Sequence, residues 1–115
     1  MKVLSADDNH RVRKIISRML GTTADEFLEA ADGREAVELY VKYRPDYVLM
    51  DIEMEKLDGL SATKDILQHD PSARVIIVTS HDNESYRRAA TEAGAADFVR
   101  KDDIIRLKKL LTEKE

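Results

Sequence analysis

Five residues carry types that could do chemistry together: Asp7, Asp8, Asp51, Thr79 and Lys101, each standing at or just beyond the end of a short apolar run. Three carboxylates brought to one place repel unless a cation joins them. A hard divalent ion with oxygen ligands relieves that repulsion, Mg²⁺ most naturally and Mn²⁺ as the alternative. Mg²⁺ takes one or two carboxylates, keeps several waters and leaves a position for a phosphate oxygen. A lysine ammonium and a threonine hydroxyl suit the remaining phosphoryl oxygens. The set therefore describes a place where a phosphoryl group sits on or beside a carboxylate, and carboxylates are nucleophiles that yield an aspartyl-phosphate. Taken singly, each has an ordinary explanation. Asp-Asp after a strand serves as a helix cap, Thr79 is a β-branched strand residue, and Lys101 is a surface lysine. Only their joint placement at strand ends carries the chemistry.

The elements that must position them alternate. Short apolar runs occur at 2–6, 27–30, 47–50, 74–78 and 97–99, and Tyr47-Val48-Leu49-Met50 and Val75-Ile76-Ile77-Val78 are continuous. Strands buried on both faces, as at the centre of a parallel sheet, have this unbroken character. Between them lie segments with helical spacing. Val12, Ile15, Ile16, Met19 and Leu20 mark one buried face before Gly21. Asp32 and Glu35 form a capping box for a second helix with Ala36, Leu39, Tyr40 and Tyr43 inside, ending before Pro45. A third helix covers about 60–68. A fourth places Tyr86, Ala89, Ala90 and Ala93 on one face and stops at Gly94, and the last carries Ile104, Leu107 and Leu111. The pattern is βα five times, which predicts a parallel α/β sheet with helices on both faces and right-handed crossovers. In such sheets ligands bind beyond the carboxyl ends of the strands, where Asp7, Asp8, Asp51, Thr79 and Lys101 fall. The second strand ends in Ala30-Ala31 and adds nothing.

The totals set the surroundings. The 115 residues suit one domain over 1–115, with no linker, repeat or low-complexity stretch. A net charge of −4 argues against direct nucleic-acid binding, and the basic residues Arg11, Arg13, Lys14, Arg87 and Arg88 read as solvated helix faces. The absence of cysteine excludes disulfides and thiolate chemistry. No apolar run approaches a membrane span and the N-terminus has no signal-peptide core, so a cytoplasmic location is expected.

The segments Asp7-Asp8-Asn9-His10, Asp51-Ile52-Glu53-Met54, Leu57-Asp58-Gly59, Thr79-Ser80 and Phe98-Val99-Arg100-Lys101 closely resemble the receiver domain of response regulators, over essentially the whole chain. The resemblance implies the flavodoxin-like three-layer α/β/α fold, (βα)5, with strand order 2-1-3-4-5. It implies that Asp51 takes phosphate from a phosphohistidine of a sensor histidine kinase or phosphotransfer protein. Asp7, Asp8, Asp51 and the backbone carbonyl of Glu53 would hold Mg²⁺, with Lys101 pairing with the phosphoryl group and Thr79 hydrogen-bonding to it. Thr79 moving inward would leave room for Phe98, the aromatic switch residue. The changed surface would be that of the fourth and fifth helices with the last strand, there to meet a downstream protein, an attached output domain or a second copy; Ile105 and Leu110 are candidates on it. The protein would then be a signal transducer that assists its own phosphotransfer rather than a conventional enzyme.

The sequence departs from the family pattern in places. Asp102 follows Lys101 where the family has a cis proline, and a cis bond there is not expected. This Lys-Asp pair resembles a subfamily linked to helix-turn-helix output. Glu55 replaces a proline in the loop after Asp51, Phe98 lacks a tyrosine's hydroxyl, and Glu53 and His81 occupy variable positions that influence phosphate lifetime. Three other readings compete. A small phosphohydrolase with an aspartate nucleophile would need a second aspartate where Glu53 stands, and a substrate-enclosing cap. A degenerate receiver kept as a scaffold would have lost an acid or the lysine. A nucleotide-binding module would show a Gly-rich phosphate loop.

Overall fold

The structure, a computed structural model, describes residues 1–112; the tail 113–115, which the sequence places beyond the fifth helix, lies outside the described residues. Five strands alternate with five helices: β1 Lys2–Ala6, α1 His10–Leu20, β2 Glu26–Ala30, α2 Gly33–Tyr43, β3 Tyr47–Met50, α3 Gly59–His69, β4 Val75–Thr79, α4 Glu84–Ala93, β5 Asp97–Arg100 and α5 Ile104–Thr112. The strands make one parallel sheet in the order β2-β1-β3-β4-β5, the order implied by the resemblance. The order in which strands are added reverses between β1 and β3, so the crevice of the sheet opens at the ends carrying Asp7 and Asp51.

Alternation along the strands divides the core. Leu4, Val48, Met50, Val75 and Ile77 face one layer with Ala36, Tyr40, Ala62 and Ile66 of α2 and α3. Val3, Leu49, Ile76 and Val78 face the other, against Ile16 and Leu20 of α1 and Leu107 and Leu111 of α5. The central strands β3 and β4 are buried at every residue, which is why their sequences do not alternate.

Helix starts follow local chemistry. Asn9, Asp32, Asp58 and Asn83 each accept a hydrogen bond from a first-turn backbone N–H. The Glu35 carboxylate of the expected capping box accepts from Ala31 N–H at 2.8 Å, one residue before the cap. Gly21 and Gly94 end α1 and α4 with positive φ.

Several expectations need correction. β2 and β4 are each shifted or extended by a residue, β5 continues to Arg100, and α3 runs from Gly59 to His69. Ile15, expected on the buried face of α1, is 55% exposed, because the helix rests on Ile16 and Leu20 and turns Ile15 away. Tyr43, expected inside α2, lies on the surface between the ammonium groups of Lys2 and Lys42. Leu110 packs partly against the α1/α5 core, leaving Ile105 as the exposed apolar residue of α5.

Candidate functional site

The loop following β3 is shaped by close backbone approach. Gly59 N–H donates to the Ile52 carbonyl at 2.7 Å, and a Cβ at Gly59 would stand 1.7 Å from the Asp51 carbonyl oxygen. A Cβ at Gly33 would likewise fall 1.9 Å from the Leu57 carbonyl oxygen, so the far end of the loop rests on the start of α2. Only glycine permits both contacts. Lys56 takes a positive φ of 68° within this loop, where the family pattern leads to proline one residue earlier. Among the described residues no peptide bond is cis, so the Lys101–Asp102 bond is trans.

On this frame Asp7, Asp8 and Asp51 converge: each offers a carboxylate oxygen, and the three oxygens lie within 4.8 Å of one another. Asp7 and Asp51 are buried and Asp8 is exposed, so the group opens to solvent on one side. Asp7 Oδ1 accepts from Asn9 N–H at 2.8 Å, and Asp51 Oδ1 from Ile52 N–H at 2.9 Å. Lys101 Nζ reaches both acids, at 2.8 Å from Asp7 Oδ2 and 3.3 Å from Asp51 Oδ2. Burial and then the Asp7 charge push the Asp51 carboxyl up to about 6, against the opposing pull of Lys101 and of the Ile52 N–H. Burial opposes the charge on Lys101, yet its bonds to Asp7 and Asp51 hold it above the ordinary lysine value. One ammonium thus faces three carboxylates, a donor set of hard oxygens with uncompensated negative charge, and this fits a divalent cation such as Mg²⁺.

Thr79 ends β4, almost wholly buried, and its backbone carbonyl accepts from Lys101 N–H at 2.8 Å. The Thr79 hydroxyl accepts from His81 N–H at 3.1 Å, which leaves its own proton free to donate. Phe98, in β5, is buried and pairs in register with Ile77. The Glu53 carboxylate turns outward to His81 Nε2 and the Tyr86 hydroxyl, both at 3.3 Å. Asp7, Asp8, Asp51 and Lys101 therefore meet at the carboxyl ends of the strands, Thr79 is joined to them through the Lys101 backbone, and Phe98 stands back beside α4.

Two arginines read from the sequence as solvated are part of this frame. Arg13 forms an ion pair with Glu29 at 2.8 Å and donates to the Asp7 carbonyl, bracing β1 beneath the site. Arg87 grips Asp82 and lies 4.8 Å over the Phe98 ring. No sequence signal marks either role, because both partners come from other elements. Tyr86, by contrast, falls by its spacing on the inner face of α4, and its hydroxyl extends from there to Glu53.

A five-stranded parallel sheet in this order, with an acidic cluster at the carboxyl ends of its strands, defines a receiver-type α/β domain. The family model "Response regulator receiver domain" matches residues 3–112. The chain is 37% identical over 105 residues to the transcriptional regulatory protein DegU of Brevibacillus brevis, covering 89% of this chain and 44% of that protein. It is 38% identical over 100 residues to the chemotaxis protein CheY of Halobacterium salinarum, covering 87% of this chain and 83% of that protein. Among solved structures, a chain of the CheX–CheY–BeF3–Mg complex from Borrelia burgdorferi superposes with a TM-score of 0.88 at 26% identity, covering 96% of this chain and 88% of that one. The chain belongs to the response regulator receiver domain family of two-component systems. It spans less than half the length of DegU and most of the length of CheY. No helix among the described residues is long and apolar enough to cross a membrane.

Proposed function

We propose that the protein is a phosphorylation-driven signalling switch in which Asp51 is the phosphoacceptor. The observation that carries this reading is the convergence of three carboxylate oxygens within 4.8 Å, bridged on one side by Lys101. An Asp51 oxygen attacks the phosphorus of a phosphohistidine on a sensor histidine kinase or phosphotransfer protein. The O–P bond forms as the N–P bond breaks, and the electron pair leaves with the imidazole. Asp7, Asp8, Asp51 and the Glu53 backbone carbonyl would hold Mg²⁺, or Mn²⁺, which when bound offsets charge on the transferring oxygens. Lys101 exchanges its carboxylate partners for a phosphoryl oxygen, a reading supported by its contacts with Asp7 and Asp51. The Thr79 hydroxyl gives up its bond from His81 and donates to another phosphoryl oxygen.

The output in this reading is movement of Thr79 and its loop, followed by repacking of Phe98 and a changed α4–β5–α5 face. That face addresses a downstream protein, an attached output domain or a second copy of the chain, with no direct nucleic-acid contact. The protein acts in the cytoplasm as a transducer that promotes its own phosphorylation and dephosphorylation.

Incubation with a small-molecule phosphodonor and Mg²⁺, followed by intact-mass measurement, tests the reading. One phosphoryl adduct is expected on the native chain and none on Asp51→Asn. Multiple turnover of varied phosphate esters without an adduct would instead identify a hydrolase.

A further inference from the structure

We propose that Arg87 is a positioning residue that latches the Phe98 ring to the loop following Thr79, with Asp82 as its anchor. The proposal rests on the switch reading above and adds a component to it.

The guanidinium is fixed from one side and covers the ring on the other. Arg87 Nε donates to Asp82 Oδ1 at 2.6 Å and a second nitrogen donates to Asp82 Oδ2 at 3.0 Å, a two-point grip that sets the plane of the group. The same guanidinium lies 4.8 Å from the centre of the Phe98 ring, within cation–π range. Asp82 belongs to the loop between β4 and α4, directly after His81, whose backbone N–H donates to the Thr79 hydroxyl. A continuous chain of contacts thus runs from Thr79 through His81, Asp82 and Arg87 to Phe98.

The ring is the part of Phe98 free to respond. Its carbonyl accepts from Arg106 at 2.9 Å, and its N–H donates to Asp97 Oδ1 at 2.8 Å, so the backbone is pinned. Arg106 also pairs with Asp97 at 3.1 Å, securing the same strand to α5. Beside the ring, a cavity of about 220 Å³ between α4 and β5 is lined by Arg87, Ala90, Thr91, Asp97 and Phe98. Phe98 is only 7% exposed although β5 is the edge strand, and Arg87 supplies part of its cover. When Thr79 leaves His81, the loop carrying Asp82 shifts, the grip on Arg87 changes and the ring is released. An isolated surface ion pair contributes little; this one gains consequence by joining the moving loop to the ring.

The chain contains two phenylalanines, so para-fluorophenylalanine labelling gives one signal for Phe98 and one for Phe27 as an internal reference. Fluorine NMR would be recorded on the native chain and on Arg87→Met, Asp82→Asn, the double variant, and Arg88→Met as the neighbouring-charge control. Without phosphoryl mimic, Arg87→Met and Asp82→Asn are expected to shift or broaden the Phe98 signal while Phe27 and Arg88→Met stay unchanged. Titration with beryllofluoride and Mg²⁺ should bring up the activated Phe98 signal at a concentration roughly three- to tenfold lower in Arg87→Met, and no lower still in the double variant. Identical Phe98 spectra and midpoints in the native chain and both single variants would overturn the latch. A response to Arg87→Met but none to Asp82→Asn would overturn the loop connection. If the native Phe98 signal ignores beryllofluoride, the switch reading fails, while the spectra without mimic still decide whether Arg87 and Asp82 hold the ring.

Discussion

Lys101 Nζ stands 2.8 Å from Asp7 and 3.3 Å from Asp51, holding together two buried acids that come from different strands. The bridge leaves the site short of positive charge, and most of the expected behaviour of the protein follows from that shortage. Burial and then the Asp7 charge outweigh the pull of that ammonium, so ionised Asp51 is costly to the fold.

Stability without divalent metal should accordingly depend on Asp51. Its folded value, about 6, lies above the ordinary 3.8, so folding favours the protonated acid. The stabilising proton is fully present below the unfolded value and is lost as pH rises through the folded one, a window of about pH 4 to 6. In chelator, Asp51→Asn should raise stability at neutral pH by on the order of 1–3 kcal/mol, and the gain should shrink as pH falls through that window. Urea unfolding of both chains across the range checks this. A gain that grows toward acid would contradict the assignment.

Mg²⁺ should reverse the penalty. Because the ion needs ionised carboxylates, its affinity should weaken as pH is lowered through about 6. Titration calorimetry at several pH values measures it directly, and a pH-independent affinity would rule out Asp51 as a ligand.

Lys101→Met should remove the ammonium bonded to both acids. The metal-free protein is expected to lose about 1–3 kcal/mol at neutral pH, since Asp7 and Asp51 are left facing each other. Added Mg²⁺ should restore part of the loss, while the phosphoryl adduct remains strongly reduced. Melting curves with and without metal, together with intact mass, separate the two effects.

Gly59→Ala should be among the most damaging single changes. Its Cβ would stand 1.7 Å from the Asp51 carbonyl oxygen, so the loop bearing the acceptor must shift. A destabilisation of about 2–4 kcal/mol is expected, with slower adduct formation in whatever remains folded. Denaturant midpoints and phosphorylation rates report both.

Away from the site, the Tyr40 hydroxyl donates to Asp70 Oδ2 at 2.6 Å and ties α2 to the end of α3. Burial and then Asp70 push the Tyr40 hydroxyl up to about 12, while Tyr40, Ser72 and Arg44 hold the Asp70 carboxyl well below the carboxylate range. The stabilisation from Asp70 is therefore present above its unfolded value of 3.8 and lost as pH falls below it. Tyr40→Phe should lower the melting temperature at neutral pH, with a smaller difference in strong acid. Scanning calorimetry of both proteins tests the trend.

The sequence by itself determined the succession of elements, because hydrophobic spacing and caps are local. The unbroken Tyr47–Met50 run, the Asp32 cap and the stop at Gly94 each act within a few residues of themselves. It also determined which residues stand at strand ends, and hence the candidate set. The family motifs added the strand order that periodicity could not supply. Tertiary structure alone decided what those residues feel. Lys101 and Asp7 are neighbours only because β5 and β1 share a parallel sheet, and Asp51 is raised because the fold excludes water from it and sets Asp7 beside it. Ile15 fits the apolar stripe of α1, yet packing turns it to solvent. Arg13 and Arg87 look like surface charges, yet partners on β1, β2, the β4–α4 loop and β5 give them positions. Periodicity records the face a helix can bury; the facing surface settles how much of it is buried and which charges it needs.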